Sequence, residues 1–267
     1  MTWATLGGMV QTMQRVWRAG RFWWDSTRPG EAGAHPVRAV IFDLDALSDV
    51  EGGGHRLAFN AAFAAHGLTL TWSPDRYRKL LVLSDERQRV AAELRARGIS
   101  TECDVLFRSL VERICATKSR LLDDVILAAS LDARRGLVDL VTEAFTAGVA
   151  VGVVSTGRRQ WVDPLVRQLV GDGLIQTIVT EDDLPAAAPL GAALRTALAD
   201  IGAAPHDALV FTGSAAGLRA AAAVGVAGVL VDPETVGAHA DFDGLRIADC
   251  QRLQATSWSR GTRSAAA

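Results

Sequence analysis

Short apolar runs alternate with longer amphipathic stretches over the second half of the chain. The predicted strands are the runs that are short and rich in β-branched residues: Val149–Val154, Leu174–Val179, Ala208–Phe211 and Ala227–Val231. Helical spacing marks the stretches that precede or separate them: Leu137–Ala147, Gln160–Val170, Leu190–Ile201 and Ala215–Val224. Regular alternation of this kind predicts an α/β fold built on a doubly wound parallel sheet.

One further apolar run lies earlier in the chain and sets the domain organisation. Val37–Phe42 predicts a buried strand that ends in Asp43. Residues 55–130 then contain only helical patterns: Arg56–His66, Pro74–Leu83, Glu86–Arg97 and Cys103–Thr117. A helical block placed straight after the first strand is interpreted as an inserted cap.

The predicted boundaries follow from these patterns: an N-terminal extension and linker (1–36), a core (37–50 and 132–250), a helical cap (51–131) and a C-terminal tail (251–267). One more strand is expected at Leu245–Ala248, and the polar tail after it is expected to be disordered. The extension is rich in Trp and Arg, and Met9–Trp24 is interpreted as a basic helix. Such a helix could contact a membrane surface or a protein partner; the alternative is a frayed extension, or one that packs on its own domain.

Composition narrows the function classes. The chain has 267 residues, 49% of them hydrophobic, which is enough for a core domain with a smaller insert. A net charge of −2 gives no basic field for nucleic acid. Three widely spaced cysteines (Cys103, Cys115 and Cys250) form no metal-binding pattern and favour reduced thiols, so a cytoplasmic location is expected. No apolar stretch reaches the length of about 18 residues that a transmembrane helix needs.

The candidate chemistry lies where strands end. Asp43 and Asp45 are two residues apart after the first strand, so their carboxylates would face one cleft, where one can attack a phosphoryl group and the other can transfer protons. Ser155 and Thr156 follow the next strand and could hold a phosphate near a helix N-terminus. The alternative for this serine and threonine is a helix cap.

Two segments resemble a known family. Phe42–Glu51 resembles the first motif of haloacid dehalogenase (HAD) superfamily phosphatases, and Gly54–Leu68, followed by Trp72 and Tyr77, resembles the cap opening of CbbY-type sugar-phosphate phosphatases. The resemblance implies a HAD-like Rossmannoid fold with a C1-type cap. It also implies Mg²⁺-dependent hydrolysis of a small phosphorylated sugar through an aspartyl-phosphate intermediate.

The same resemblance assigns roles to individual residues. It makes Asp43 the nucleophile and Asp45 the acid/base, gives Ser155 and Thr156 the phosphate, and makes Asp43 and Asp45 metal ligands. The residues that it implies on the cap side of the substrate are Glu51, His55, Arg56, Arg87 and Arg89. Asp85-Glu86 stands where the family has a glycine pair.

Two charged elements of the family are missing. No lysine occurs in the matching stretch Leu184–Leu190, and Thr212 and Gly213 replace the acidic pair that holds Mg²⁺. Like unit charges at about 4 Å repel by about 4 kcal/mol at an effective dielectric of about 20, so Asp43 facing a phosphate would be poorly compensated. Arg158 or Arg159 could supply the missing positive charge, and the acidic residues 181–183 could supply a substitute metal ligand. The alternative is that these side chains are only solvated.

Three hypotheses result. The first is a catalytically impaired family member that binds a phosphorylated metabolite or a partner. The second is a working phosphatase in which Mg²⁺ is held weakly by Asp43 and the Asp45 carbonyl. The third is a scaffold that binds no small ligand.

Overall fold

The computed structural model describes residues 14–18, 21–25, 36–83, 85–99 and 103–264, and it describes side chains between residues 36 and 256. Two short strands, β1 (Gln14–Arg18) and β2 (Arg21–Asp25), pair antiparallel near the N-terminus. The helix predicted over Met9–Trp24 is therefore wrong where the structure describes it. These strands are rich in Trp, Phe and Val, which favour extended backbone.

A five-stranded parallel sheet forms the centre of the molecule. Its strands are β3 (Ala39–Asp43), β4 (Ala150–Val154), β5 (Thr177–Val179), β6 (Ala208–Thr212) and β7 (Ala227–Leu230). The order across the sheet is β5-β4-β3-β6-β7, and every pairing is parallel. The predicted fold class is confirmed. Because β3 lies in the middle of the sheet, its C-terminal residue, Asp43, lies in the cleft at the carboxyl edge of the sheet.

Helices surround the sheet and form the insert. The insert follows α1 (Leu44–Leu47) and contains a π-helical turn (Glu51–His55), α2 (Arg56–Ala65), α3 (Pro74–Leu80), α4 (Glu86–Ala96) and α5 (Asp104–Ala128). The core helices are α6 (Leu137–Thr146), α7 (Arg159–Val170), α8 (Leu190–Ile201), α9 (Ala215–Ala223) and α10 (Ile247–Ser264). Helix α5 has 25 residues and continues well past the predicted end at Thr117.

The sheet and the cap have separate hydrophobic cores. On one face of the sheet the rings of Phe42, Phe211 and Phe242 pack with centroids 5.2 to 5.5 Å apart. The cap is centred on buried aromatic side chains that belong to a cluster of their own: Phe59, Phe63, Trp72 and Tyr77. Each of these large rings buries a large apolar area and so adds to the hydrophobic stabilisation of its part.

The C-terminal segment differs from its prediction. The strand expected at Leu245–Ala248 is wrong, and residues 247–264 form helix α10 instead of a disordered tail. Ile247, Cys250 and Gln254 are buried, and their spacing of three and four residues is helical. The Gln254 side chain donates to the carbonyl of His206 (2.8 Å), which ties the helix to the start of β6. None of the described helices is long and apolar enough to cross a membrane.

Gly136 gives a test of this packing. It adopts φ +74° before α6, and a Cβ there would lie 2.4 Å from the backbone carbonyl of Phe242. Gly148 has a similar φ of +69° but open space around it. We expect Gly148→Ala to lower the free energy of unfolding by about 1 kcal/mol through the left-handed conformation alone, and Gly136→Ala to cost at least about 2 kcal/mol more. Urea denaturation of both variants measures the difference, and equal losses would contradict the close contact.

Candidate active site

A cavity of about 810 Å³ lies between the carboxyl edge of the sheet and the cap. Its volume is in the range of small-molecule sites. The polar side chains that line it from the core include Asp43, Asp45, Ser155, Thr156 and Arg158. Those that line it from the insert include Glu51, His55, Glu86, Lys118 and Asp123. The sequence therefore predicted six of the residues that meet here: the two aspartates, the Ser-Thr pair, Glu51 and His55.

Asp43 is buried at the end of β3, and each of its carboxylate oxygens accepts at least one hydrogen bond. Its Oδ1 accepts from the backbone N–H groups of Ala46 (2.8 Å) and Gly213 (3.0 Å), and its Oδ2 accepts from the hydroxyl of Thr212. Burial raises the pKa of Asp43, and these three donors, with the nearby Arg134, oppose that rise. Thr212 thus contacts the same carboxylate from the position where the resemblance led us to expect an acid.

Asp45 follows two residues later and faces the cavity. Its Oδ1 accepts from the backbone N–H of Glu51 (2.9 Å). Burial raises the pKa of Asp45 well above its ordinary range, and the negative charges of Glu51 and Asp43 add to the effect. A carboxyl whose pKa is raised by burial holds its proton more readily, and such a group is suited to donate a proton to a leaving oxygen.

The backbone carbonyl of Asp45 is bound by a guanidinium. Arg134, in the segment between α5 and α6, donates to this oxygen through Nη2 (2.9 Å) and Nε (3.3 Å). The backbone N–H of Arg134 also donates to the carbonyl of Leu47 (2.9 Å), which fixes the arginine beside α1. The Arg134 guanidinium therefore binds the carbonyl oxygen that the family resemblance assigns to the metal.

Ser155 and Thr156 lie at the end of β4. The buried Ser155 Oγ accepts from the backbone N–H of Gly157 (2.9 Å), so its O–H remains available as a donor toward the cavity. Helix α7 begins only at Arg159, with Arg158 at its N-cap, so neither hydroxyl residue caps this helix. Their arrangement suits a phosphate oxygen at the strand end.

Three polar side chains of the insert, Lys118, Glu86 and His55, form a cluster at the cavity. Lys118 Nζ lies 2.5 Å from Glu86 Oε1 and 3.0 Å from His55 Nδ1. Burial works in the opposite direction, but the hydrogen bonds and charges of His55 and Lys118 lower the pKa of Glu86 to about 2. A buried lysine therefore reaches the cavity from α5, although the core stretch in which the resemblance led us to expect a lysine, Leu184–Leu190, has none.

The predicted cap arginines do not reach the cavity. Arg56 donates to the carbonyls of Gly52 (2.8 Å) and Trp72 (3.1 Å), and Arg87 pairs with Glu112 on the surface (2.7 Å). Arg89 donates to the carbonyl of Leu83 (2.6 Å) and pairs with Glu51 (3.2 Å). Each arginine has found a partner within the cap, so the structure does not bring them to the ligand as the sequence suggested.

The segments named as replacements for the missing charges are also paired. Arg158 Nη2 lies 2.7 Å from Asp123 Oδ2 on α5, so it joins core and cap at the cavity. Arg159 pairs with Asp163 (3.2 Å) and Asp183 (2.5 Å) away from this junction. Of the acidic stretch 181–183, Glu181 lines the cavity, whereas the other two carboxylates accept hydrogen bonds from residues 159 and 180.

Comparison with known proteins identifies the family. The model of the haloacid dehalogenase-like hydrolases matches residues 35–225, and this chain belongs to that family. Protein CbbY of Cupriavidus necator is 31% identical over 79% of this chain and 84% of that protein. A CBBY-like protein of Arabidopsis thaliana is 30% identical over 77% of this chain and 68% of that protein.

A solved structure has the same fold. CbbY from Rhodobacter sphaeroides in complex with phosphate superposes with a TM-score of 0.59 at 26% identity, over 79% of this chain and 98% of that one. The chain is thus similar to CbbY proteins, one of which was solved with bound phosphate. HAD hydrolases generally use Mg²⁺, so the residues at the cleft can be tested for their fit to that ion.

The residues present do not fit a Mg²⁺ site. Mg²⁺ needs oxygen ligands in near-octahedral arrangement, commonly one or two carboxylates. Both oxygens of Asp43 already accept hydrogen bonds, and the Asp45 carbonyl faces Arg134. A side chain at Gly213 would place its Cβ 2.6 Å from the Cβ of Asp45, so no acid fits there. Within the part of the chain described, no group of three or more His, Cys, Asp and Glu could hold a metal.

Asp45 gives a pH-dependent test of the site's electrostatics. Because its pKa is raised in the folded protein, the protonated form favours folding, and that contribution is lost as pH rises through the raised pKa. We expect Asp45→Asn to leave the free energy of unfolding unchanged near pH 3, roughly below the ordinary carboxyl pKa, and to raise it increasingly toward neutral pH. Urea denaturation at several pH values measures this. Asp172→Asn, at an exposed carboxyl, is the control, and a gain that did not depend on pH would count against the burial of charge at Asp45.

Proposed function

We propose that this chain is a catalytically impaired member of its family that binds a small phosphorylated sugar in the cavity without releasing phosphate. The observation that carries the proposal is the set of contacts around the first-strand acids. Thr212 and Gly213 bind the Asp43 carboxylate and Arg134 binds the Asp45 carbonyl, where a phosphatase of this family would have its metal.

Hydrolysis requires Asp43 to attack a phosphorus atom that carries negative oxygens. Phosphoryl transfer depends on positioning and on cations that offset the developing charge. Here the attacking carboxylate is held by three neutral donors, and the nearest cation, Arg134, bonds to a carbonyl. Leaving even half of a repulsion of about 4 kcal/mol uncompensated would slow the step by more than about 10-fold.

Binding of the phosphate group is better supported than its hydrolysis. The Ser155 hydroxyl is available as a donor, and Thr156 lies beside it at the end of β4. Lys118 and Arg158 bring two positive charges to the cavity wall. The relative that was solved with phosphate, and validoxylamine A 7'-phosphate phosphatase of Streptomyces hygroscopicus (25% identical), point to phosphate esters as the ligand class.

A working phosphatase is the second candidate, and one observation favours it. Arg158 and Lys118 reach the cavity from the core and from the cap, so either could offset the charge of a phosphate in place of the family's lysine. Asp45 with its raised pKa would then be the general acid. This candidate requires turnover that depends on the Asp43 carboxylate.

Location and partners belong to the same proposal. The cysteine content favours a cytoplasmic setting, and the net charge disfavours nucleic acid. The Trp- and Arg-rich residues at the N-terminus are proposed to contact a protein or a membrane surface. The cavity supports one part of the proposal, the binding of a small phosphorylated ligand.

Turnover separates the two candidates. We expect no phosphate release from a panel of sugar phosphates and bisphosphates, with or without Mg²⁺, at a protein concentration that excludes contaminating phosphatase. Asp43→Asn is expected to bind the same esters at least about 3-fold more tightly in isothermal titration calorimetry, since it removes a negative charge near the phosphate. Mg²⁺-dependent release that disappears in Asp43→Asn would establish the working phosphatase instead.

The phosphate position has its own test. Ser155→Ala removes the O–H donor, and we expect the affinity for inorganic phosphate to fall about 10-fold, because a hydrogen bond to a charged group contributes about 1.5 kcal/mol or more. Ser119→Ala removes a hydroxyl from the cap side of the same cavity and is expected to leave the affinity for phosphate unchanged. Equal effects of the two changes in calorimetry would show that the phosphate is not held at the end of β4.

A further inference from the structure

One ion pair crosses from the core to the cap in the wall of the cavity. Arg158 belongs to the turn between β4 and α7, which also carries Ser155 and Thr156. Its Nη2 lies 2.7 Å from Oδ2 of Asp123, on the cap helix α5, and donates to the carbonyl of Ser119 on the same helix (3.4 Å). Among the described residues that line the cavity, Arg158 is the one cation that the core contributes.

The carboxylate of this pair depends on the arginine. Asp123 is 6% exposed, and its Oδ1 is enclosed by protein and accepts no hydrogen bond from the described groups. A buried carboxylate that loses its cationic partner is strongly unfavourable, because neither water nor another donor replaces the lost interaction. Any process that takes Arg158 away from Asp123 must therefore supply the free energy of leaving that negative charge unpaired.

The arginine, in contrast, is accessible to a ligand. The side chain of Arg158 is 44% exposed, whereas that of Lys118 is 4% exposed and is enclosed between Glu86 and His55. A guanidinium binds a phosphate as well as a carboxylate, with the same paired hydrogen bonds. Asp123 and a ligand phosphate thus compete for one cation, and the competition matters because carboxylates outnumber cations among the lining residues.

We propose that Asp123 is an autoinhibitory residue: its pairing with Arg158 withholds the guanidinium from the ligand, so that a phosphate gains the full attraction of this cation only by breaking the contact between α5 and the turn after β4. This inference rests on the proposed function, because it presumes that a phosphate group binds in the cavity. Since the same ion pair joins cap and core, occupation of the site and the strength of that contact oppose each other, and each lowers the other by the same factor.

Binding of inorganic phosphate, measured by isothermal titration calorimetry, tests this competition. Asp123→Asn keeps the shape of the side chain and removes its charge, so Arg158 is released. We expect this variant to bind inorganic phosphate at least about 10-fold more tightly than the wild-type protein, which corresponds to about 1.4 kcal/mol. Asp123→Ser releases the same cation and is used if Asp123→Asn does not fold.

The double variant Asp123→Asn/Arg158→Gln assigns the gain to the arginine. It removes both charges of the pair and leaves no unpaired charge behind. We expect its affinity for inorganic phosphate to return to within about 3-fold of that of the wild-type protein, because the cation that Asp123→Asn released is no longer present.

Two controls separate this effect from simpler ones. Asp124→Asn removes the same charge from the next residue of α5, which is exposed and also lines the cavity, and it is expected to raise the affinity by less than about 3-fold. Glu234→Gln removes another ion pair between core and cap, with Arg78 of α3 (3.6 Å), and it is expected to change the affinity by less than about 2-fold.

The outcomes distinguish the inference from the proposed function. If inorganic phosphate binds neither the wild-type protein nor Asp123→Asn, the proposed function is wrong and the inference fails with it. If phosphate binds the wild-type protein, but Asp123→Asn gains no more than Asp124→Asn or the double variant keeps the whole gain, Asp123 does not withhold Arg158 and the proposed function stands. A gain of the same size in Glu234→Gln would assign the effect to a looser cap and would likewise overturn the inference.

Discussion

A buried carboxylate at the end of the central strand is the constraint on which the site depends. Asp43 ends β3, where desolvation disfavours its charge, and the fold supplies three donors to compensate. One donor comes from α1 and two from the end of β6, so that turn and that neighbouring strand must both lie close to the carboxylate. The hydrogen bonds that stabilise the buried Asp43 carboxylate also occupy its oxygens. They therefore make the carboxylate a weaker nucleophile.

The positive charges at the cavity follow a similar pattern. Lys118 is paired with Glu86, and Arg158 is paired with Asp123, so each cation already has a carboxylate partner. A buried charge is stable only with such a partner. A ligand phosphate must therefore share these cations with existing partners, which lowers their effect on the phosphate compared with an unpaired lysine. The cavity is polar, and carboxylates outnumber cations among its lining residues, so an anionic group is favoured only where it lies close to the cations.

Local pattern was sufficient for the sheet, because a buried parallel strand is a short apolar run and its polar C-terminal residue marks the cleft; Asp43 and Ser155 were found in this way. Pattern failed where a segment lies against the core at an end of the chain, as in α10, whose buried face of Ile247, Cys250 and Gln254 is narrow and partly polar. It also failed for side chains whose partners are distant in sequence. Nothing near Arg87 indicates Glu112, and nothing near Lys118 indicates that α5 returns to the cleft.

Helix α5 has a geometric consequence for recognition. A single run of 25 residues, about 37 Å long at 1.5 Å per residue, begins in the cap core near Phe107 and carries Lys118 and Asp123 to the cavity. Because one continuous helix carries both side chains, their spacing is fixed, unlike that of residues on separate loops. The angle between α5 and the sheet therefore sets the distance from these side chains to the end of β4. That distance limits the length of a ligand that contacts both.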